Sequence, residues 1–295
     1  MYAPIHIWQA IITGLLQGVT ELFPVSSLGH AVLFPAWLGG SWSSFTTSKD
    51  SPYLSFTVAL HLASAIGLIW IFRKRWVAII SGGLRSLSGH KSIEGKLFWL
   101  LVISAIPAGI LGLALEHTLR VLFAKPLAAA IFLFSNAFIL IAAEKLTEKN
   151  RVQDELSDST SPELQSNLII AKKITPKSAL WVGVAQTLAL FAGISRFGIT
   201  MSAGLFNKLS HRVAADFAFL AATPIIFAAA IYKVPDLLSS QYSQVRTPAL
   251  FGALSALIAT IFAAKFLKNW FKTRTLYPFA IYCLIIGLIS IIRFA

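Results

Sequence analysis

Charge is scarce in this chain of 295 residues: only 13% are Asp, Glu, Lys or Arg, and just 12 of them are acids. Cysteine occurs once, at Cys283 within an apolar run, so no internal disulfide can form and cysteine usage is silent on redox compartment. No Cys/His cluster has the spacing of a zinc site, neither Walker nor Rossmann glycine pattern is present, and there is no Gly-x-Ser-x-Gly elbow. Apolar runs are continuous and do not alternate with polar residues, which excludes a membrane β-barrel. No basic region precedes the first apolar stretch, so a cleavable signal peptide is not expected. The net charge of +13 invites a nucleic-acid reading, but no soluble basic face exists to carry it, and nucleic acid is excluded as a partner.

What fills the chain is hydrocarbon. Apolar residues make up 56% and mean hydropathy is +0.73, beyond what a water-soluble domain of this length tolerates. The expected fold class is all-α, a polytopic membrane protein surrounded by membrane lipids. Six stretches read as full crossings, at about 54–72, 97–115, 127–143, 213–232, 249–264 and 277–292. Two regions do not cross. Segments 7–16 and 31–38 are too short to span, and Gln17, Glu21, Pro24, Ser26, Ser27 and His30 lie between them; segments 179–190 and 199–206 flank Gly193–Gly198 in the same way. Such pairs read as re-entrant half-helices whose broken backbone faces an internal cavity.

The two breaks correspond. A shift of 169 lays Gly14 on Gly183, Gln17 on Gln186, Ser26 on Ser195 and Gly29 on Gly198. Each half then holds one re-entrant pair and three crossings, and because three is odd the second half enters from the opposite side. The expectation is an inverted-topology repeat, with repeat one at 1–143, a polar cytoplasmic connector at 144–178 and repeat two at 179–295. Broken segments at matching places in two halves point to a binding site near the membrane midplane.

Basic residues orient this arrangement. The loops 73–96, 144–178 and 265–276 hold sixteen Lys and Arg, with Lys208 and Arg212 on the same face, whereas the other face receives Lys49, Arg120, Lys125, Lys233, Arg246 and Arg293. The excess marks the cytoplasmic side and places both termini outside it. Residues such as Glu155, Asp158, Ser159 and Pro162 make the connector a flexible polar link without a fold of its own.

Several residues carry candidate chemistry. Gln17 and Glu21 are four apart and share one helical face. A carboxylate in apolar sequence is costly, and Glu21 is a functional candidate unless it reaches a headgroup region. Ser26 and Ser27 serve either as the N-cap of a helix starting near Leu28 or, with that helix's N–H groups and dipole, as a phosphate site. His30, one turn after Ser27, either packs or faces the same ligand. Arg196 has no acid beside it in sequence. It snorkels to lipid phosphates or makes a bidentate fork on an anionic ligand, with Ser195, Gly198 and Thr200 offering hydroxyls and close backbone. Asp216 reads as an i, i+4 partner of Arg212, and His61 as a packing residue. A divalent ion, if used, has few carboxylates available and is held largely by substrate phosphates.

At these residues the chain resembles the undecaprenyl-pyrophosphate phosphatase family of bacteria, the type linked to bacitracin resistance. Gln17, Glu21 and Pro24-Val25-Ser26-Ser27-Leu28-Gly29-His30 meet its first signature; Gly193, Ser195, Arg196 and Thr200 meet its second. Phe279-Ala-Ile-Tyr282 extends the likeness toward the C-terminus. The resemblance implies hydrolysis of undecaprenyl pyrophosphate to the monophosphate and inorganic phosphate, recycling the lipid carrier of cell-wall synthesis. It also implies a bacterial plasma (inner) membrane protein whose active site opens to the periplasm or outside. Carried over, Arg196 binds the pyrophosphate, Ser27 or His30 is the nucleophile with the other assisting, and Glu21 orients the histidine or helps hold a divalent cation, Mg or Ca. Gln17, Ser26, Ser195, Gly198 and Thr200 line the substrate. The chain departs from the family pattern at Ala192, where Pro is usual, at Phe197, where Ser is common, and at Leu28, where Thr is common; a Phe beside Arg196 would narrow the phosphate pocket. The competing reading is a flippase or transporter of a polyprenyl phosphate, which needs a cation and polar groups but no nucleophile.

Overall fold

A helix rises ~1.5 Å per residue, so about 20 apolar residues cross a hydrocarbon core of ~30 Å. The computed structural model describes residues 5–47, 52–115, 125–148, 161–233, 239 and 242–295, and every regular element among them is helical. The first half comprises α1 (Ile7–Leu22), α2 (Ser27–Leu38), α3 (Gly40–Thr47), α4 (Tyr53–Ile71), α5 (Arg73–Ser86), α6 (Ile93–Ala114) and α7 (Pro126–Glu148). After α8 (Pro162–Lys173) come α9 (Pro176–Gln186), a 3₁₀ turn (Thr187–Leu190), α10 (Arg196–Phe206), α11 (His211–Lys233), α12 (Ser243–Trp270) and α13 (Tyr277–Phe294).

Helices α4, α6, α7, α11, α12 and α13 are long and apolar enough to cross a membrane, and they coincide with the six predicted crossings. The protein is a multi-pass membrane protein. α1 packs along α12 and α13 along α7, while α4 lies against both α11 and α12. Contact between α1 and α12 is close because Gly14 has no side chain: a methyl group there would lie 2.1 Å from the Gly252 carbonyl oxygen. Ser255 on α12 adds a hydrogen bond from its hydroxyl to the Ile11 carbonyl at 3.0 Å.

The interrupted regions hold more helix than their apolar lengths suggest. α1 continues through Gln17 and Glu21 to Leu22, because both polar side chains are buried and bonded rather than exposed in a break. It stops at Phe23, which adopts an extended conformation ahead of Pro24, as the residue before proline is forced to do. α2 then starts from Ser26, whose hydroxyl accepts from the Gly29 N–H at 3.1 Å. In the second region α9 relaxes into the 3₁₀ turn and the chain turns at Gly193, at φ +115. Ser195 then caps α10 by accepting from the Gly198 N–H at 3.0 Å.

Three expectations need correction. The basic loop 73–96 contains α5, a 14-residue helix that lies on α6, where Gly82 approaches Glu94 and Gly95, and Gly83 approaches Phe98. The connector is not without structure: Ser161 caps α8, Pro162 begins it, and Gln165, Ser166 and Asn167 are buried. Asp216 is taken up by Arg75, not by a neighbour one turn away: Arg75 Nη1 lies 3.2 Å from its carboxylate. The same guanidinium donates to Asn167 Oδ1 and Ser166 Oγ, so one buried arginine ties α5, α8 and α11 together. Glu155, Asp158 and Ser159 of the connector, and Lys49, Arg120, Lys149 and Arg151 of the loop charges, lie outside the described residues.

Candidate active site

The interruptions meet. Ser26 Oγ accepts from the Gly193 N–H at 3.1 Å, and Ser195 Oγ donates to the Phe23 carbonyl at 3.4 Å. Asn136 on α7 spans the seam: its Nδ2 donates to the Pro24 carbonyl at 2.9 Å and its Oδ1 accepts from the Ser195 N–H at 3.0 Å. The N-termini of α2 and α10 are therefore fixed side by side inside the protein, and both present backbone N–H groups and positive dipole ends to the same space.

A small cavity opens there. Glu21, Ser26, Ser27 and Leu28 line it from the first region, Ile194, Ser195 and Arg196 from the second, with Ala189 and His61 completing the wall. Glu21 Oε2 is the hub. It accepts from Gln17 Nε2 at 2.9 Å and from the Ser27 hydroxyl at 2.5 Å, and His61 Nε2 stands 3.2 Å away. Arg196 lines the same cavity as this carboxylate, and its Nε is buried without a hydrogen-bond partner. An unmatched guanidinium N–H beside a held serine suits an anion with tetrahedral oxygens.

The other sequence candidates are distributed differently. His30 is turned away from Glu21: Nδ1 meets the Ser26 carbonyl at 2.7 Å and Nε2 meets Tyr282 Oη at 2.7 Å, with the two rings stacked. Tyr282, the last residue of the Phe279-Ala-Ile-Tyr282 run, thereby buttresses the first tip. Thr200 bonds back to the Arg196 carbonyl within α10, and Gly198 packs near Leu140 and Pro24, so both shape the helix end without lining the cavity. Phe197 does not narrow the pocket; it points into the core against Phe219 and Phe271. His61, expected only to pack, is the residue that sequence reasoning missed. Its signal was present in the polar stripe Thr57, His61, Ser64, which follows helical spacing along an otherwise apolar crossing. Asn136, a lone amide in the third crossing, was missed as well, since its partners Pro24 and Ser195 lie far from it in sequence.

Six crossings and two interlocked breaks that enclose a carboxylate–serine pair and a guanidinium define an integral membrane protein with a buried, polar-lined cavity. Residues 10–289 match the family model described as bacitracin resistance protein BacA. Curated relatives include undecaprenyl-diphosphatase 2 of Frankia alni, 42% identical over 97% of each chain. Undecaprenyl-diphosphatase of Mycobacterium avium is 42% identical over 100% of this chain and 99% of its own, and undecaprenyl-diphosphatase 2 of Burkholderia ambifaria is 41% identical over 95% and 94%. The chain belongs to the BacA family of bacitracin resistance proteins.

Proposed function

We propose that this protein is an undecaprenyl-diphosphate phosphatase, releasing inorganic phosphate from the lipid diphosphate and returning undecaprenyl phosphate to cell-wall synthesis. The observation that carries this is the Ser27 hydroxyl bonded to Glu21 in the cavity that Arg196 also lines. Ser27 Oγ attacks the terminal phosphorus while Glu21 Oε2 takes its proton. The anhydride P–O bond breaks and undecaprenyl phosphate leaves with the bridging oxygen. Water then attacks the phosphoserine, releasing phosphate and restoring the hydroxyl. Arg196 and the N–H groups of the α2 and α10 N-termini hold the diphosphate and stabilise charge spreading over the transferred group. Of the two nucleophile candidates Ser27 is favoured, since both ring nitrogens of His30 are engaged elsewhere.

A divalent cation fits this site only in part. No three His, Cys, Asp or Glu side chains group together among the described residues, and Glu21 is the carboxylate at the cavity. Mg or Ca would be held by Glu21 and by the substrate's own phosphate oxygens, where it would neutralise diphosphate charge.

The inverted repeat at 1–143 and 179–295, with 144–178 between, is supported by exchanged packing. Gly14 on α1 meets α12, and its counterpart Gly183 on α9 meets Ser104 and Pro107 on α6. A re-entrant course for α1–α2 and α9–α10 is supported by their 16, 12, 11 and 11 residues, each short of a crossing. The basic loops support a bacterial plasma membrane setting with the site opening away from the cytoplasm. A carrier of polyprenyl phosphate has no use for a hydroxyl held on a carboxylate, which favours hydrolysis. The test is phosphate release from undecaprenyl diphosphate by purified protein in detergent. Wild type releases phosphate and forms an acid-stable phosphoserine at residue 27, and Ser27→Ala does neither; full turnover by Ser27→Ala would overturn the assignment.

A further inference from the structure

The signature histidine is not the one that reaches the reacting group. His61 comes from α4, outside both interrupted regions, yet it lines the cavity, whereas His30 does not. Its orientation is fixed from behind: Nδ1 lies 2.8 Å from the Thr57 carbonyl one turn earlier. A carbonyl only accepts, so Nδ1 carries a hydrogen. The Glu21 carboxylate only accepts as well, so the ring serves both partners as the imidazolium, with a hydrogen on each nitrogen and Nε2 donating to Glu21. Nε2 stands 3.2 Å from Oε2, the same oxygen that accepts the Ser27 hydroxyl.

We propose that His61 is a positioning residue of the phosphatase reaction, pinning the Glu21 carboxylate so that Oε2 stays aligned on Ser27; this rests on the reading of the site as a phosphatase. Gln17 holds Oε2 from within α1, but its single bond leaves the carboxylate free to swing about that contact. A second donor from a separate helix removes that freedom. α4 is itself anchored near the site, since Tyr53 Oη donates to the Ala31 carbonyl on α2 and Ser64 bonds to Thr260 on α12. His61 thus references the base to the crossings, and Ser27 inherits the alignment through one hydrogen bond. His30 has a different task, holding the first tip between the Ser26 carbonyl and Tyr282.

The role predicts a split in kinetic constants. Arg196 and the helix-end amides bind the diphosphate, so loss of His61 leaves KM nearly unchanged and falls on kcat. For His61→Leu in the purified full-length protein, kcat for phosphate release is expected to fall about 30-fold or more, with KM within about threefold, on the scale set by a misaligned proton acceptor. His61→Gln keeps an N–H donor at similar reach and is expected to recover kcat to within about fivefold of wild type. Wild-type kcat in His61→Leu would overturn the proposal. So would equal losses in both variants accompanied by equally lowered melting temperatures, which mark a structural role only. If wild type itself released no phosphate from undecaprenyl diphosphate, the functional reading would fail instead; an active wild type and inactive Ser27→Ala beside an unaffected His61→Leu would remove His61 alone.

Discussion

Ser26 Oγ accepts a hydrogen bond from the Gly193 N–H across 167 residues of sequence, and this contact sets the distance between the serine and arginine sides of the site. Ser26 holds φ 68 to do so, a left-handed conformation that a serine adopts only when its surroundings enforce it. Gly193→Ala tests the seam. At φ +115 an added methyl would lie 2.4 Å from the Ala129 carbonyl oxygen and 2.5 Å from the Leu133 nitrogen, both backbone atoms that cannot rotate away. The expected outcome is a destabilisation of about 2 kcal/mol or more with loss of turnover, read as a lower melting temperature in detergent and absent phosphate release.

Asn136 is the second tie across the seam. Asn136→Leu leaves the Ser195 N–H buried without its partner, at about 1–3 kcal/mol, and leaves the Pro24 carbonyl with only the weak Cys283 thiol donor. Because these groups flank Ser27 and Arg196, kcat/KM for phosphate release is expected to drop at least ~10-fold even at temperatures where the variant stays folded. Unchanged kcat/KM would show that the tips hold their spacing without this amide.

Arg75 makes a contrasting prediction, because it lies with Asp216, Ser166 and Asn167 and not at the cavity. Arg75→Met strands a buried Asp216 carboxylate and is expected to cost about 3–5 kcal/mol, whereas pairing it with Asp216→Leu recovers most of the loss. Thermal unfolding of the three proteins in one detergent measures this. Catalytic constants of the folded protein are expected to stay near wild type throughout.

The six crossings were legible because hydrocarbon thickness imposes their length, and a run of about 20 apolar residues has few other uses. The tips were legible too, since Glu21 and Arg196 are too expensive in apolar sequence to be incidental. What the sequence concealed was pairing between elements. Arg212 stands one turn from Asp216, and nothing local reveals that Arg75, far back in the chain, folds onto it. His61 was concealed for a related reason: a single histidine in a crossing is usually satisfied by packing, and only the fold places it on Glu21. α5 escaped notice because its three basic residues at the start look like a loop, although Gly82 and Gly83 fit it closely to α6.

The central claim is that the two tips build one catalytic site, with Arg196 reaching from the second to the phosphate that Ser27 attacks from the first. The most direct measurement is the initial rate of inorganic phosphate release from undecaprenyl diphosphate by purified Arg196→Ala, beside wild type in the same detergent. The account expects a loss of about 10³-fold or more at a temperature where the variant stays folded. Wild-type turnover by Arg196→Ala would contradict it.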